Sequence, residues 1–249
     1  MNENFRPYLC NVNNKPASIM VDLKLVEEVP IAAKPWLLWL WIYMQSPRAD
    51  GLSSSEEAPT LWKMEDALLE QVCLDGRILL CGRITTDGKR EFYFYAEKPV
   101  GFQEAVAQAM EAYPAYKWEL GDQSDSGWKH YLDVMYPSRT DLEKIKNGDL
   151  LDVVSKKGDI LTIPRKVLHW IYFSSREHRA ACSDATKRSG FAIESEFDHP
   201  GGERPFSLCV ARTQPIRQNE IDTTVLELLD LAEQFDGDYD GWETPVVTQ

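Results

Sequence analysis

The side chains that most often carry out catalysis are few in this sequence and lie outside known catalytic motifs. The chain of 249 residues holds four histidines, His130, His169, His178 and His199. None belongs to an HExxH zinc motif, and the sequence contains no GxSxG nucleophile elbow, no phosphate-binding P-loop and no GxGxxG dinucleotide motif. The sequence therefore predicts no catalytic residue and no cofactor, and it leaves an enzyme of unrecognised class as an alternative.

His169 is the histidine in the most apolar setting. It lies between Leu168 and Trp170 in a stretch that reads as a strand. This position favours a hydrogen-bonded structural histidine over a general base.

The cysteines give no sign of a metal site or of a disulfide framework. The five are odd in number, widely spaced and free of any CxxC pair: Cys10, Cys73, Cys81, Cys182 and Cys209. Buried, reduced thiols are the expected state, and no metal is predicted.

The strongest charge signal is an acidic C-terminal segment. The whole chain has a formal net charge of -13, and no lysine or arginine follows Arg217. Residues 218–249 carry nine acids: Glu220, Asp222, Glu227, Asp230, Glu233, Asp236, Asp238, Asp240 and Glu243. Such a field repels nucleic acid phosphates and attracts basic protein surfaces. The segment is interpreted either as a surface that mimics RNA towards a protein partner or as a solvated face that keeps the protein in solution.

Two groups of residues are candidates for contact with a partner. The first forms the end of the acidic segment and combines acids with two aromatic residues: Asp236, Asp238, Tyr239, Asp240, Trp242 and Glu243. Trp242 is expected either to plug the end of a helix against a sheet or to anchor a partner. The second group comprises His169, Arg176 and Arg179, as partner or interdomain contacts. Solvated ion pairs remain the alternative for these two arginines.

A third functional class, RNA binding, has one pattern in its favour. The stretch KREFYFY, residues 89–95, places Phe92 and Phe94 on one face of a predicted strand, as in stacking RNA-recognition modules. The negative charge of this half disfavours direct nucleic acid binding, and packing under helices is the preferred role.

Hydrophobic periodicity predicts alternating strands and helices in both halves of the chain. In the first half, strands are expected at 18–29, 36–44 and 115–120, a hairpin around Asp87-Gly88, and helices after a capping box at Ser53 or Ser54 and over 101–113. In the second half, a strand over 160–173, a helix capped by Ser174 with Glu177, a hairpin and a last helix follow in the same order.

The two halves share identities at a fixed offset of 114 residues. The pairs are Gly88 with Gly202, Arg90 with Arg204, Phe92 with Phe206, Gly127 with Gly241, and Trp128 with Trp242. This pattern predicts an α+β protein of two tandem ferredoxin-like units, with a split βαβ order and both helices on one sheet face, produced by internal duplication. The predicted domains are 1–137 and 138–249.

No segment indicates a membrane or export. The apolar run at 36–44 is nine residues long, less than half of a bilayer span, and the N-terminus lacks the charge and apolar order of a signal peptide. A cytoplasmic location is expected.

The stretch RKVLHWIYFSSREHRAACSDATKRSGFAIES, residues 165–195, and the terminal YDGWETP resemble the bacterial regulator of ribonuclease activity B family. The likeness covers residues from about 138 to the end. The N-terminal part resembles a bacterial domain-of-unknown-function family that is fused to such regulators, and it brings no activity with it. The resemblance implies a ferredoxin-like fold and a non-catalytic protein that binds ribonuclease E and restrains RNA decay.

Overall fold

The computed structural model describes residues 4–248, so the first three residues of the N-terminal stretch considered above lie outside the described part. The chain divides into two compact units between Asp141 and Leu142. The predicted boundary lay between residues 137 and 138. We call the parts before and after the division the N-terminal unit and the C-terminal unit.

The N-terminal unit is built on one antiparallel six-stranded sheet. Its elements are β1 (Phe5–Val12), β2 (Lys15–Asp22), a 3-10 helix (Leu23–Glu27), β3 (Trp36–Tyr43), α1 (Ala58–Val72), β4 (Ile78–Thr86), β5 (Lys89–Ala96), α2 (Phe102–Met110), β6 (Trp118–Ser124) and a π-helix (His130–Met135). The strand order is β1-β2-β4-β5-β3-β6. As predicted, a tight turn joins β4 to β5, and both Asp87 and Gly88 take positive φ there.

Helices α1 and α2 cover one face of this sheet. Every third or fourth residue of each helix is apolar, so each presents one stripe to the alternating apolar residues of β3 and β5. Phe92 and Phe94 belong to this core and are 0% exposed. The RNA-stacking role considered for them is therefore wrong, because neither ring can reach a base, whereas their expected packing under the helices is confirmed.

The opposite face of the sheet has a second core. Trp128, Tyr131 and Met135, from the π-helix and the residues before it, pack against β2, β4 and β5. The Trp128 ring stacks on Tyr95 with 3.7 Å between ring centroids. The Tyr95 hydroxyl in turn donates to the Asp125 carboxylate at 2.6 Å, so the aromatic plug has a polar anchor.

The C-terminal unit has a four-stranded antiparallel sheet. Its elements are α3 (Arg139–Lys156), in which the division of the chain falls, β7 (Arg165–Phe173), α4 (Arg176–Arg188), β8 (Ala192–Asp198), β9 (Phe206–Gln214), α5 (Gln218–Gln234) and β10 (Gly237–Glu243). The strand order β10-β7-β9-β8 is the split βαβ order. Strands β3 to β6 take the same order in the N-terminal unit, with β1 and β2 added at one edge. The predicted α+β class with two ferredoxin-like units is thus confirmed.

The residue-by-residue repeat fits the structure only in part. Trp128 follows β6, whereas Trp242 lies within β10, so the predicted equivalence of these two tryptophans is wrong. A closer repeat occupies the first strand of each split βαβ unit: Trp41-Ile42-Tyr43 in β3 and Trp170-Ile171-Tyr172 in β7. Both isoleucines are fully buried towards the helices. Internal duplication stays a prediction.

One strand end and two helix starts differ from the prediction, because local side chains make other hydrogen bonds. The strand predicted over 18–29 ends at Asp22, whose carboxylate accepts from the Lys24 amide and begins a 3-10 helix. Glu57 lies before α1 and accepts from the amides of Gln45 and Ser46, at 2.7 and 2.8 Å. Half of the capping box predicted there forms, because the Ser54 hydroxyl oxygen accepts from the Glu57 amide at 3.3 Å, whereas the Glu57 carboxylate is taken by the Gln45 and Ser46 amides.

At α4 the cap is one residue later than predicted. Ser175, in extended conformation, accepts from the His178 amide at 3.1 Å, so Ser174 is not the capping residue.

We expect Trp128→Ala to lower the free energy of unfolding by about 3–5 kcal/mol, because the substitution empties a fully buried ring site. Urea titration measures this. Trp62→Ala is the matched control, since that ring is 56% exposed, and we expect it to change stability by about 0.5 kcal/mol or less. Equal losses for the two variants would contradict the packing described.

Candidate partner-binding surface

Strand β10, which carries most of the predicted partner contacts, is an edge strand. It pairs with β7 alone within the described residues, from Gly237 opposite Phe173 to Glu243 opposite Leu168. The ladder shifts register between Tyr239 and Gly241, which leaves Asp240 in a β-bulge. Gly241 has a φ of 140°, a conformation that side chains rarely adopt, so the bulge depends on glycine at this position.

Tyr239 anchors the strand from the helix side of the sheet. Its ring is 7% exposed and belongs to the core under α4 and α5. The hydroxyl lies 2.9 Å from Nδ1 of His169 on β7. Burial raises the pKa of the Tyr239 phenol, so the hydroxyl stays protonated. Tyr239, predicted as a partner contact, is therefore an internal anchor.

His169 is the structural histidine that the sequence indicated. Its side chain is fully buried, and burial, helped by the positive charge of Arg212, lowers its pKa to about 3. The imidazole is thus neutral near pH 7. Among the described residues, Nε2 has no hydrogen-bond partner. The partner-contact role proposed for His169 does not fit a ring without access to solvent.

Trp242 makes a second anchor. Its indole Nε1 donates to the side-chain oxygen of Asn147 at 2.8 Å, and Nδ2 of the buried Asn147 donates to Asp222 at 2.8 Å. These bonds tie β10 to α3 and then to α5. The half-buried ring also packs against both apolar clusters of the unit. Of the two roles expected for Trp242, the structure shows packing between helix and sheet.

The predicted acids divide into two sets. Asp236 has several partners within the unit: the Arg204 guanidinium at 3.5 Å, His178 Nδ1 at 3.6 Å and the Ser174 hydroxyl, which donates to it at 3.2 Å. Asp238, Asp240 and Glu243 are exposed along β10. We call these three residues the acidic edge.

Acids of α5 are also partly compensated within the unit. Glu227 pairs with Arg212 at 2.9 Å, Glu220 pairs with Arg217, and Asp222 takes part in the asparagine network above. These contacts within the unit therefore offset part of the negative charge that the sequence count of acids suggests for residues 218–248.

Arg176 and Arg179 contact the sheet of their own unit. Arg176 donates to Asp198 at 2.9 and 2.6 Å, and Arg179 donates to Asp198 at 2.8 Å. Hydrogen bonds from Arg176, and then from Arg179, hold the pKa of the Asp198 carboxyl below its usual range. Both guanidinium groups also lie over the Phe206 ring, at 5.3 and 5.7 Å. The two arginines thus fasten α4 to β8 and β9.

One group of titratable side chains in contact with each other was not predicted from the sequence. In the N-terminal unit His130 stacks on Tyr93 at 4.1 Å, and Tyr93 donates to Glu91 at 2.7 Å. Burial lowers the pKa of His130, against the opposing effect of Asp125 and Glu91. Asp125 accepts from Tyr95 and from the amides of Lys129 and His130, so it serves as the cap of the π-helix. These residues are separated in sequence, and only the sheet brings them together.

Other site classes find no support in residues 4–248. No group of three or more histidine, cysteine or acidic side chains is arranged to hold a metal ion there, and the cysteines of this range form no disulfide. No helix in this part of the chain is long and apolar enough to cross a bilayer.

We expect His169 to make stability depend on pH. The folded-state pKa of about 3 lies below the unfolded value near 6.5, so only the unfolded chain binds the proton between these values. This contribution is fully present above pH 6.5 and is lost towards pH 3, at up to about 1.4 kcal/mol per pH unit. Urea unfolding from pH 7 to 5 gives the free energy of unfolding of the wild type and of His169→Gln, and the difference between the two isolates the contribution of His169. A stability difference that does not change with pH would contradict the burial of His169.

Comparisons with known families agree with the division of the chain. The model of a family of unknown function (DUF695) matches residues 3–136, more than half of the chain, and the model described as regulator of ribonuclease activity B matches residues 144–244. Both resemblances drawn from the sequence are confirmed. No curated protein matches. A crystal structure of an unknown protein from Galdieria sulphuraria is 11% identical, covering 85% of this chain and 99% of its own, with a TM-score of 0.22.

The chain belongs to the family of unknown function DUF695, and its C-terminal unit matches the regulators of ribonuclease activity B.

Proposed function

We propose that the C-terminal unit is a non-catalytic regulator that binds a ribonuclease E-type endoribonuclease through the acidic edge and inhibits it. The observation that carries the proposal is the family match over residues 144–244, which includes all of β10. The chain would act on the cytoplasmic enzyme as a protein ligand.

The layout of the acidic edge supports recognition of a basic segment. Asp238 lies opposite Tyr172 and Glu243 opposite Leu168, four residues apart on β7, which is roughly 13 Å along a strand. Asp240 lies between them in the bulge. An extended chain with several arginines or lysines can meet these carboxylates, and the net charge of -13 accelerates the encounter.

The anchoring of β10 supports the same role. Because Tyr239 and Trp242 are held from the helix side by His169 and Asn147, the strand keeps its shape while its acids face solvent. Carboxylates that are fixed before binding lose little conformational entropy when a partner docks. The bulge and the charges also discourage two copies from pairing edge to edge.

The surroundings of His130 and His169 favour binding over catalysis. His169 is buried and neutral, and the carboxylates near His130 are engaged in hydrogen bonds to Tyr93, Tyr95 and the start of the π-helix. Neither histidine is paired with an exposed nucleophile. These contacts fit structural roles better than a proton-transfer site.

Neutralising the acidic edge should weaken binding to the ribonuclease. For Asp238→Asn, Asp240→Asn and Glu243→Gln combined, we expect affinity to fall about tenfold or more, mostly through slower association, with a reduced dependence on salt. Titration calorimetry with a purified ribonuclease E-type enzyme at low and high salt measures the affinity and its salt dependence. The RNA cleavage rate of the enzyme measures inhibition.

A matched control removes the same charge elsewhere. Glu104→Gln, Glu111→Gln and Asp122→Asn change three exposed acids of the N-terminal unit, and this variant should bind within about twofold of the wild type. Wild-type protein that neither binds the enzyme nor slows cleavage would refute the proposed function. Equal losses in the two triple variants would refute the assignment to β10.

A further inference from the structure

The sheet face of the C-terminal unit that points away from α4 and α5 carries an aromatic cluster. On β7 the side chains alternate: His169, Ile171 and Phe173 are buried on the helix side, so Trp170 and Tyr172 lie on the other side. Phe197 on β8 lies opposite Ser207 on this same face and is 54% exposed.

The middle of this face is filled. Strand β9 places small side chains between β7 and β8, Ser207, Cys209 and Ala211, and they are only 1–3% exposed. His199 lies 2.9 Å from the Ser207 hydroxyl oxygen, with its ring 6.3 Å from Tyr172 and 6.5 Å from Phe197. We call Trp170, Tyr172 and Phe197 the aromatic face.

The N-terminal unit holds a counterpart of this aromatic pair, already covered by its own cations. In the repeated Trp-Ile-Tyr, the ammonium of Lys89 lies 4.2 Å from the Trp41 ring centroid, and that of Lys117 lies 4.6 Å from the Tyr43 centroid. Lys89 is opposite Tyr43 on β5, and the Lys117 carbonyl accepts from the Tyr43 amide on the other side. Lys89 at the start of β5 and Lys117 just before β6 thus both lie over the pair.

The C-terminal unit lacks these lysines at the equivalent positions. Tyr172 has Ser207 opposite it on β9 and Asp238 opposite it on β10. Within residues 142–248, the cation–π contacts are those of Arg176, Arg179 and Arg212 with Phe206 and Phe191, not with the aromatic face. Lys166, the nearby lysine on this side of β7, pairs with Glu194 at 2.7 Å.

We infer that the aromatic face binds an arginine side chain of the protein partner, with the guanidinium over Trp170 and Tyr172 and beside Asp238. The inference rests on the proposed function and names the chemistry of the bound segment. An aromatic ring attracts a cation through its quadrupole, and an adjacent carboxylate adds a charge-assisted hydrogen bond. Arginine is favoured over lysine because its planar group stacks and bonds a carboxylate at the same time.

Charge distinguishes this occupant from RNA. Asp238 and Glu243 lie along β10 beside the aromatic face, and on its other side Glu194 of β8 pairs with Lys166. A nucleic acid backbone would meet these carboxylates with its phosphates and would find Lys166 already paired. A basic peptide meets attraction from both the rings and the acids.

The direct test places a cation of the chain itself beside the rings. In the full chain, Asp238→Lys places a lysine next to Tyr172, as Lys117 lies next to Tyr43. The probe is an eight-residue peptide of alternating arginine and glycine, and its binding is measured by calorimetry and by the indole N–H signal of Trp170 in NMR spectra. We expect Asp238→Lys to bind the peptide at least fivefold more weakly than Asp240→Lys, which makes the same charge change in the bulge.

A second pair of variants separates the rings from the acids. Trp170→Leu with Tyr172→Leu should lower affinity for the arginine peptide about fivefold or more, whereas Tyr172→Phe should keep it within twofold. Circular dichroism melting confirms that each variant is folded. Peptide binding that is unchanged in the double leucine variant, equal losses in Asp238→Lys and Asp240→Lys, or tighter binding of single-stranded RNA than of peptide would each overturn the inference.

The ribonuclease itself distinguishes the two proposals. If the double leucine variant binds the enzyme with wild-type affinity while the triple acid variant does not, the proposed function stands and the aromatic face is excluded. If the wild type binds the arginine peptide at Trp170 but does not bind the enzyme, the aromatic face is supported and the proposed target is wrong.

Discussion

The hydrogen bonds that hold β10 from the helix side decide what the C-terminal unit can offer to a partner. The Tyr239 hydroxyl meets His169, and the Trp242 indole meets Asn147, which also binds Asp222. These contacts turn the two large aromatic residues of the acidic segment inwards. Because side chains alternate along a strand, the acids are then exposed on the edge and the far face of the sheet. The bulge at Asp240, made possible by Gly241, keeps all three acids of the edge in solvent.

The sequence predicted the order of elements well because the apolar periods are regular. Leu61, Met64, Leu68 and Val72 of α1 recur at helical spacing, and β7 alternates along its whole length, so type and position follow directly. Helix α3 was not predicted, because it lacks such a regular apolar spacing. Its 18 residues bury only Asn147, Leu151 and Val154, which form no continuous apolar stripe. The missed helix nevertheless supplies the asparagine that binds Trp242.

The sequence identified the segment that contains the candidate site but not the role of each residue in it. The number of acids after Arg217 located the acidic end of the chain, yet it could not show that Asp236 contacts Arg204 and His178. These contacts depend on which residues the sheet brings together over some 30 to 60 positions in the chain. The Trp-Ile-Tyr repeat was visible in the sequence. It does not lie at the offset of 114 residues, because loops of different length shift the equivalent strands to another offset.

The two ferredoxin-like units share a strand order but differ in the sheet face that points away from their helices. In the N-terminal unit the face opposite α1 and α2 is occupied by Trp128, Tyr131 and Met135, and lysines cover the rings of Trp41 and Tyr43. In the C-terminal unit, serine and aspartate replace those lysines beside the same aromatic pair. A ring beside a lysine has its attraction for cations already satisfied, whereas a ring beside an aspartate has that attraction reinforced. The residues beside the equivalent tyrosine thus differ in charge between the two units, and the arginine contact that we infer depends on this difference.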